Sequence, residues 1–221
     1  MTEEEWFAWD NPRLLLEGNS WRPSGVVSAA FTTRRLRLFA VACCRRVQGI
    51  WWDSRLIAAV DAAEKSVDAR GAVKRWLVPE TRQALSKAGA WLITLEGQLA
   101  QAVIAKGALD AATGCCFYSS VLVGGDEECR YNERIAQGPL LRDVVGNPFR
   151  PVAFFPEWRT STAVAIAQGM YESRDFSAMP ILADALQDAG CDNDDVLNHC
   201  RDANGVHVRG CWVVDHVLGK S

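Results

Sequence analysis

Between Gly146 and Pro156 the chain reads Gly-Asn-Pro-Phe-Arg-Pro-Val-Ala-Phe-Phe-Pro, with three prolines in eleven residues. A regular helix cannot run through such a stretch, because each proline lacks a backbone N–H and clashes with the preceding turn. Phe149, Phe154 and Phe155 make it too apolar for a solvated linker. It is therefore expected to be a packed connection that divides the chain into two lobes.

On both sides of that connection the apolar period is helical. Leu36, Phe39, Ala40, Cys43 and Val47 recur at the spacing of one helix face, and Asp53 with Ser54 can cap a second helix carrying Leu56, Ile57, Val60 and Ala63. Pro79 suits the first turn of a longer helix that would bury Leu85, Ala88, Trp91, Leu92, Leu95 and Leu99. A further helix is expected over 126–145, and short ones over 162–173, 179–189, 194–201 and 210–218. The stretch 115–123, bracketed by Gly114 and Gly124-Gly125, reads as a strand. The glycine- and proline-rich run 18–25 reads as a loop. The fold class is all-α: one irregular helical-bundle domain in two lobes, 1–145 and 146–221, with at most one short strand pair near 115–123.

Composition excludes several classes. The 221 residues carry 24 basic and 27 acidic side chains, a net charge of −3, and 49% are hydrophobic. That balance fits neither a disordered chain nor a strongly basic nucleic-acid coat. No stretch approaches the roughly 18 uninterrupted apolar residues of a membrane span. The opening Met-Thr-Glu-Glu-Glu-Trp is acidic where a secretory leader is basic, and Thr2 with Glu5 has the spacing of a capping box. Two of the cysteine pairs, Cys43-Cys44 and Cys115-Cys116, are vicinal and ill suited to a disulfide framework. A cytoplasmic protein with reduced, mostly buried thiols is expected.

The densest chemistry lies at the C-terminal end, where all three histidines fall. Cys191, His199, His207 and Cys211 are the candidate metal ligands, and zinc is the metal such soft and borderline donors would take. No Cys-x-x-Cys strengthens the pattern, and adjacent His199 and Cys200 would point about 100° apart on a helix. The competing reading packs the cysteines in the core, with no cofactor. A nucleophilic reading pairs Cys211 with His207 or His216 and Asp215, but the apolar Trp212-Val213-Val214 flank argues for a quiet, buried thiol.

A second feature is the arginine-rich helix, where Arg34, Arg35, Arg37, Arg45 and Arg46 occur without a carboxylate between them. They can form a patch for phosphate, nucleic acid or an acidic partner, or pair with carboxylates of neighbouring helices. Trp51-Trp52 cannot both face one helical stripe, so one of them can serve an interface. Asn147, Phe149 and Arg150 in the proline-rich turn can present a fixed recognition point. The candidate partner-binding residues are thus Arg34, Arg37, Arg45, Arg46, Asn147, Phe149 and Arg150. Catalytic signatures for dinucleotide binding, metalloproteolysis and serine hydrolysis are missing, and Gly219-Lys220-Ser221 lacks the earlier glycine of a phosphate loop.

Four segments, LRLFAVACCRR (36–46), GNPFRP (146–151), LADALQDAGC (182–191) and HVRGCWVVD (207–215), resemble a large family of uncharacterised bacterial proteins abundant in planctomycetes. The resemblance implies no activity or catalytic residue. The residues themselves point first to a non-enzymatic protein-interaction or regulatory module with a protein partner. The alternatives are a zinc-binding protein or enzyme built on the Cys/His cluster, and a nucleic-acid binder using the helix Arg34–Arg46.

Overall fold

The computed structural model describes residues 2–9, 11–17, 30–50, 53–69 and 71–220. The described residues form helices, turns and loops, with no strand among them. They divide into two compact units, Met1–Leu141 and Arg142–Ser221, so the division falls inside the helix before Gly146. The expected 18–25 loop and the Trp51-Trp52 pair lie outside the described residues.

The first unit contains α1 (Glu3–Ala8), α2 (Pro12–Glu17), α3 (Thr33–Arg46), α4 (Ser54–Asp68), α5 (Gly71–Ser86), α6 (Leu95–Val103), α7 (Ala108–Leu122) and most of α8 (Glu127–Val145). Thr2 and Glu5 close the expected capping box of α1. Thr32 caps α3 by accepting the Arg35 N–H, and Asp53 caps α4 by accepting that of Arg55. The middle of α3, from Leu38 to Cys44, is buried on every side rather than along one stripe. A helix that is apolar all round belongs in a core, and its arginines are pushed to its two ends.

Two expectations for this unit are corrected. The stretch 115–123 is not a strand but lies largely in α7. Cys115, Cys116, Ser119 and Ser120 are buried at helical spacing, and the serine hydroxyls donate to the carbonyls of Cys115 and Phe117 within the helix. Such back-bonding satisfies a hydroxyl without a strand partner. Pro79 sits inside α5 instead of opening a helix. The expected apolar stripe is then interrupted by a short 3-10 turn, Gly89–Ile93, and restarts at Thr94, whose hydroxyl accepts the Gly97 N–H. Leu85 and Leu99 are buried as expected, whereas Leu95 is exposed.

The second unit begins with the last turn of α8 and continues through α9 (Ser161–Ser173), α10 (Met179–Asp188), α11 (Asp194–Arg201) and α12 (Trp212–Val217). These follow the expected short helices to within about two residues at each end, the usual scatter of helix termini. Thr160 caps α9, Pro180 lies in the first turn of α10, and Asn193 caps α11. The core of this unit gathers Tyr171, Met179, Leu182, Leu186, Val196, Val213 and Val214 with Cys191, Cys200 and Cys211. Among the described residues, no helix is long and apolar enough to cross a membrane.

Candidate metal centre

The site lies wholly within the second unit and draws on three helix ends and one loop. Asp143 stands in the last turn of α8, and His199 in the last turn of α11. His207 belongs to the irregular loop between α11 and α12, and Cys211 immediately precedes α12. One donor atom from each of the four lies within 4.8 Å of the others.

The short distances define a common centre. Asp143 Oδ1 is 3.0 Å from His207 Nδ1 and 3.2 Å from His199 Nε2. Cys211 Sγ is 3.2 Å from that same Nε2 and 4.0 Å from His207 Nδ1. Zinc with ordinary bond lengths gives tetrahedral edges of about 3.3 Å between nitrogen and oxygen, and about 3.5 Å between nitrogen and sulfur. These four distances, from 3.0 to 4.0 Å, bracket those edges, and all four donors lie within 4.8 Å of one another.

The surroundings fix most of this geometry. The Val208 N–H donates to Asp143 Oδ2 at 2.8 Å, holding the second carboxylate oxygen outside the cluster. The Cys211 N–H donates to the Val208 carbonyl at 2.8 Å, which closes a turn and brings the thiol back toward Asp143. Trp212 packs 5.2 Å from the His199 ring, and the His199 and His207 rings meet edge to face at 4.9 Å. Gly146 gives Trp212 its place. Its φ is +75°, and a Cβ there would lie 3.1 Å from the Trp212 indole. The proline-rich connection thus buttresses the site through its first residue.

Burial and mutual contact set the charge states of the two acidic donors. Burial alone pushes the Asp143 carboxyl up, but hydrogen bonds and positive charge from His199 and His207 overcome it and hold it below its ordinary value. The Cys211 thiol is pushed well up, first by burial and then by the Asp143 charge, with the backbone N–H groups of Val214 and Val213 opposing. Without a cation it is a neutral, poorly nucleophilic thiol. A catalytic triad needs the carboxylate on one imidazole nitrogen and the nucleophile on the other. Here thiol and carboxylate face the same nitrogen of each histidine, which is metal-ligand geometry and not a proton relay. His216 instead stacks on Phe154 at 5.5 Å, and neither it nor Asp215 belongs to the four-donor cluster.

Three of the four ligand candidates read from sequence, His199, His207 and Cys211, are brought together, and Cys191 is not among the converging donors. Cys191 follows the Gly190 turn, donates its N–H to the Leu186 carbonyl, and packs in the core. Its neighbour Cys200 has a thiol pushed up to about 12 by burial, with the nearby Cys191 and Asp143 adding to the shift. The fourth donor is Asp143, which sequence reasoning missed. Its signal was faint: a carboxylate beside Arg142, between Leu140-Leu141 and Val144-Val145, at the end of a helix rich in charged side chains.

The candidate partner-binding arginines are engaged inside the first unit. Arg34 pairs with Asp68 at 3.2 Å, Arg45 with Asp61 and with Glu64 at 2.9 Å, and Arg46 with Glu133 at 3.1 Å. Arg37 donates to the carbonyls of Ala105 and Lys106. In the connection, Asn147 and Phe149 are half-buried, and the Phe149 N–H donates to the Asn147 side chain at 2.9 Å. Arg150 is exposed. Compared with protein-family models, characterised proteins and solved structures, the chain finds no match.

Proposed function

We propose that the protein is a metal-binding module, non-enzymatic in action, whose second unit holds one zinc-class divalent ion between Asp143, His199, His207 and Cys211. The observation that carries this reading is the convergence of four lone-pair atoms within 4.8 Å, from residues up to 68 positions apart in sequence. One thiolate, two imidazoles and one carboxylate form a borderline donor set that suits zinc better than magnesium or calcium. Binding would displace the Cys211 proton, since a coordinated thiol is deprotonated outright.

Four protein donors complete a tetrahedron, the arrangement of binding and structural sites rather than of hydrolytic ones. A cavity of about 400 Å³ adjoins the site and is lined by His207, Gly205 and Cys200, but by none of Asp143, His199 or Cys211. It lies against the far edge of the His207 ring, not against the metal position. That placement supports binding or regulation over substrate turnover.

Metal analysis of the full chain after zinc loading and gel filtration tests the reading. About one equivalent is expected, retained in Cys191→Ser and lost in Asp143→Ala and Cys211→Ser. Cobalt loading should add a sulfur-to-metal charge-transfer band that Cys211→Ser removes. A folded wild-type chain that takes up neither ion would overturn the proposal.

A further inference from the structure

The four donors of the metal centre are not equivalent. The side chain of Cys211 is fully buried, that of Asp143 is 2% exposed and that of His207 is 7% exposed, whereas that of His199 is 20% exposed. The first three are also tied to one another by backbone. Val208 N–H holds Asp143, Val208 adjoins His207, and the Val208 carbonyl holds the Cys211 N–H. His199 has no such tie. Its Nε2 faces the thiol and the carboxylate at 3.2 Å, and no hydrogen bond to its Nδ1 is present among the described residues. Metal-bound histidines ordinarily have that second nitrogen fixed by a partner. His207 Nε2 also lacks one among the described residues, so it is the deeper burial of His207 and its attachment to Val208 that set the two rings apart.

We propose that His199 is the exchangeable ligand of the centre. Asp143, His207 and Cys211 form a fixed floor of three donors, and the position His199 fills opens to an external planar nitrogen donor of the imidazole class. The class follows from the walls. The His207 ring meets His199 edge to face with an interplanar angle of 77°, and the Trp212 ring flanks it at 52°. Two aromatic surfaces around a flat ring favour another flat ring over a tetrahedral thiol or carboxylate. An ion would then enter and leave past His199, with an incoming imidazole donor taking its place before the remaining three ligands let go. Exchange of this kind leaves the charge of the site unchanged, since one neutral imidazole replaces another.

This inference rests on the metal reading, and the experiment separates the two. Wild type, His199→Ala, His199→Gln and His207→Ala full-length chains are loaded with zinc, and the bound metal is counted. Release to an excess of a chromophoric chelator is then timed with and without added imidazole. His199→Ala is expected to keep about one equivalent and to release it at least ~10-fold faster than wild type, because a lost ligand acts mainly through the off-rate. Added imidazole should slow that release again and restore the wild-type cobalt spectrum, while an alkyl thiol or acetate should not. His207→Ala is expected to retain little metal. The Gln variant, which keeps the side chain polar at a helix end, replaces Ala should the latter lose its helical circular-dichroism signal. Loss of metal from both His199 variants, or release at the wild-type rate, would sink the inference while leaving the metal site standing. No metal in the wild type would instead refute the site itself.

Discussion

Asp143 holds together the part of the second unit that has no regular structure, so Asp143→Ala should cost far more than an average substitution. Its side chain is 2% exposed, and it accepts from Val208 N–H at 2.8 Å while facing His207 Nδ1 at 3.0 Å and His199 Nε2 at 3.2 Å. Truncation to alanine takes the acceptor from the half-buried Val208 N–H, which by itself costs about 1–2 kcal/mol. It also removes the carboxylate that partners two imidazoles, and a hydrogen bond to a charged group is worth about 1.5–3 kcal/mol. Asp143→Asn keeps an oxygen for Val208 and should lose only about 1–2 kcal/mol. The assay is urea unfolding of the full chain in excess chelator, followed by tryptophan fluorescence. Saturating zinc then adds a second measurement. At a free concentration 1,000 times the dissociation constant it should stabilise wild type by about 4 kcal/mol, and Asp143→Ala by nearly nothing. If Asp143→Ala unfolds at the wild-type midpoint in chelator, the carboxylate does not anchor the loop. If zinc then stabilises it as it does wild type, the carboxylate is not a ligand either.

Three further predictions follow from particular contacts. Gly146→Ala should destabilise the second unit by about 1–3 kcal/mol, because alanine resists a φ of +75° and its Cβ would press on Trp212, lowering the thermal midpoint and weakening zinc retention. Arg45→Ala removes the ion pairs to Asp61 and, at 2.9 Å, to Glu64, itself 2% exposed, and should cost about 3 kcal/mol in urea unfolding. Burial holds the Glu133 carboxyl above its ordinary value of 4.5 against the opposing pull of Arg46. A raised carboxyl contributes stability below its unfolded pKa and loses it as pH rises through the folded one. The urea midpoint of wild type should therefore decline relative to Glu133→Gln as pH climbs from below 4.5 to neutrality, and a constant difference between the two would contradict the shift.

The helices were legible because local rules decide them. Thr32, Asp53, Thr160 and Asn193 each stand where a cap was needed, and each side chain accepts a backbone N–H. The strand read at 115–123 failed because two glycine signals and a few β-branched residues outweighed burial spacing. Gly114 breaks nothing inside α7; its missing Cβ lets Ala102 of α6 approach to 2.9 Å from where one would stand. That is a tertiary reason, invisible in a single segment. The arginines of α3 were read as a face, and the structure resolves them into ends. Once Leu38 to Cys44 is wholly buried, guanidiniums can emerge only near Arg34 and near Arg46, where Asp68 and Glu133 meet them.

The metal centre shows the same division more sharply. His207 and Cys211 stand four apart, the spacing of one helical turn, but Gly210 adopts a φ of +105° and no helix joins them. They converge because the turn closed by Val208 and Cys211 returns the chain on itself, and because Asp143 grips that turn from a helix ending 62 residues earlier than His207 begins to matter. No spacing rule within the last 31 residues could have supplied Asp143. The local trace was slight: beside Arg142, Asp143 is flanked by Leu140-Leu141 and Val144-Val145, and a carboxylate buried there must be paired or it destabilises the fold. Cys191 made the opposite error plausible, since a cysteine near two histidines looks like a ligand until burial assigns it to the core. In this chain a misplaced charge was the better pointer to the site than a well-placed thiol. The reason is energetic: a thiol packs in a core as a small hydrophobe, whereas a buried carboxylate needs partners.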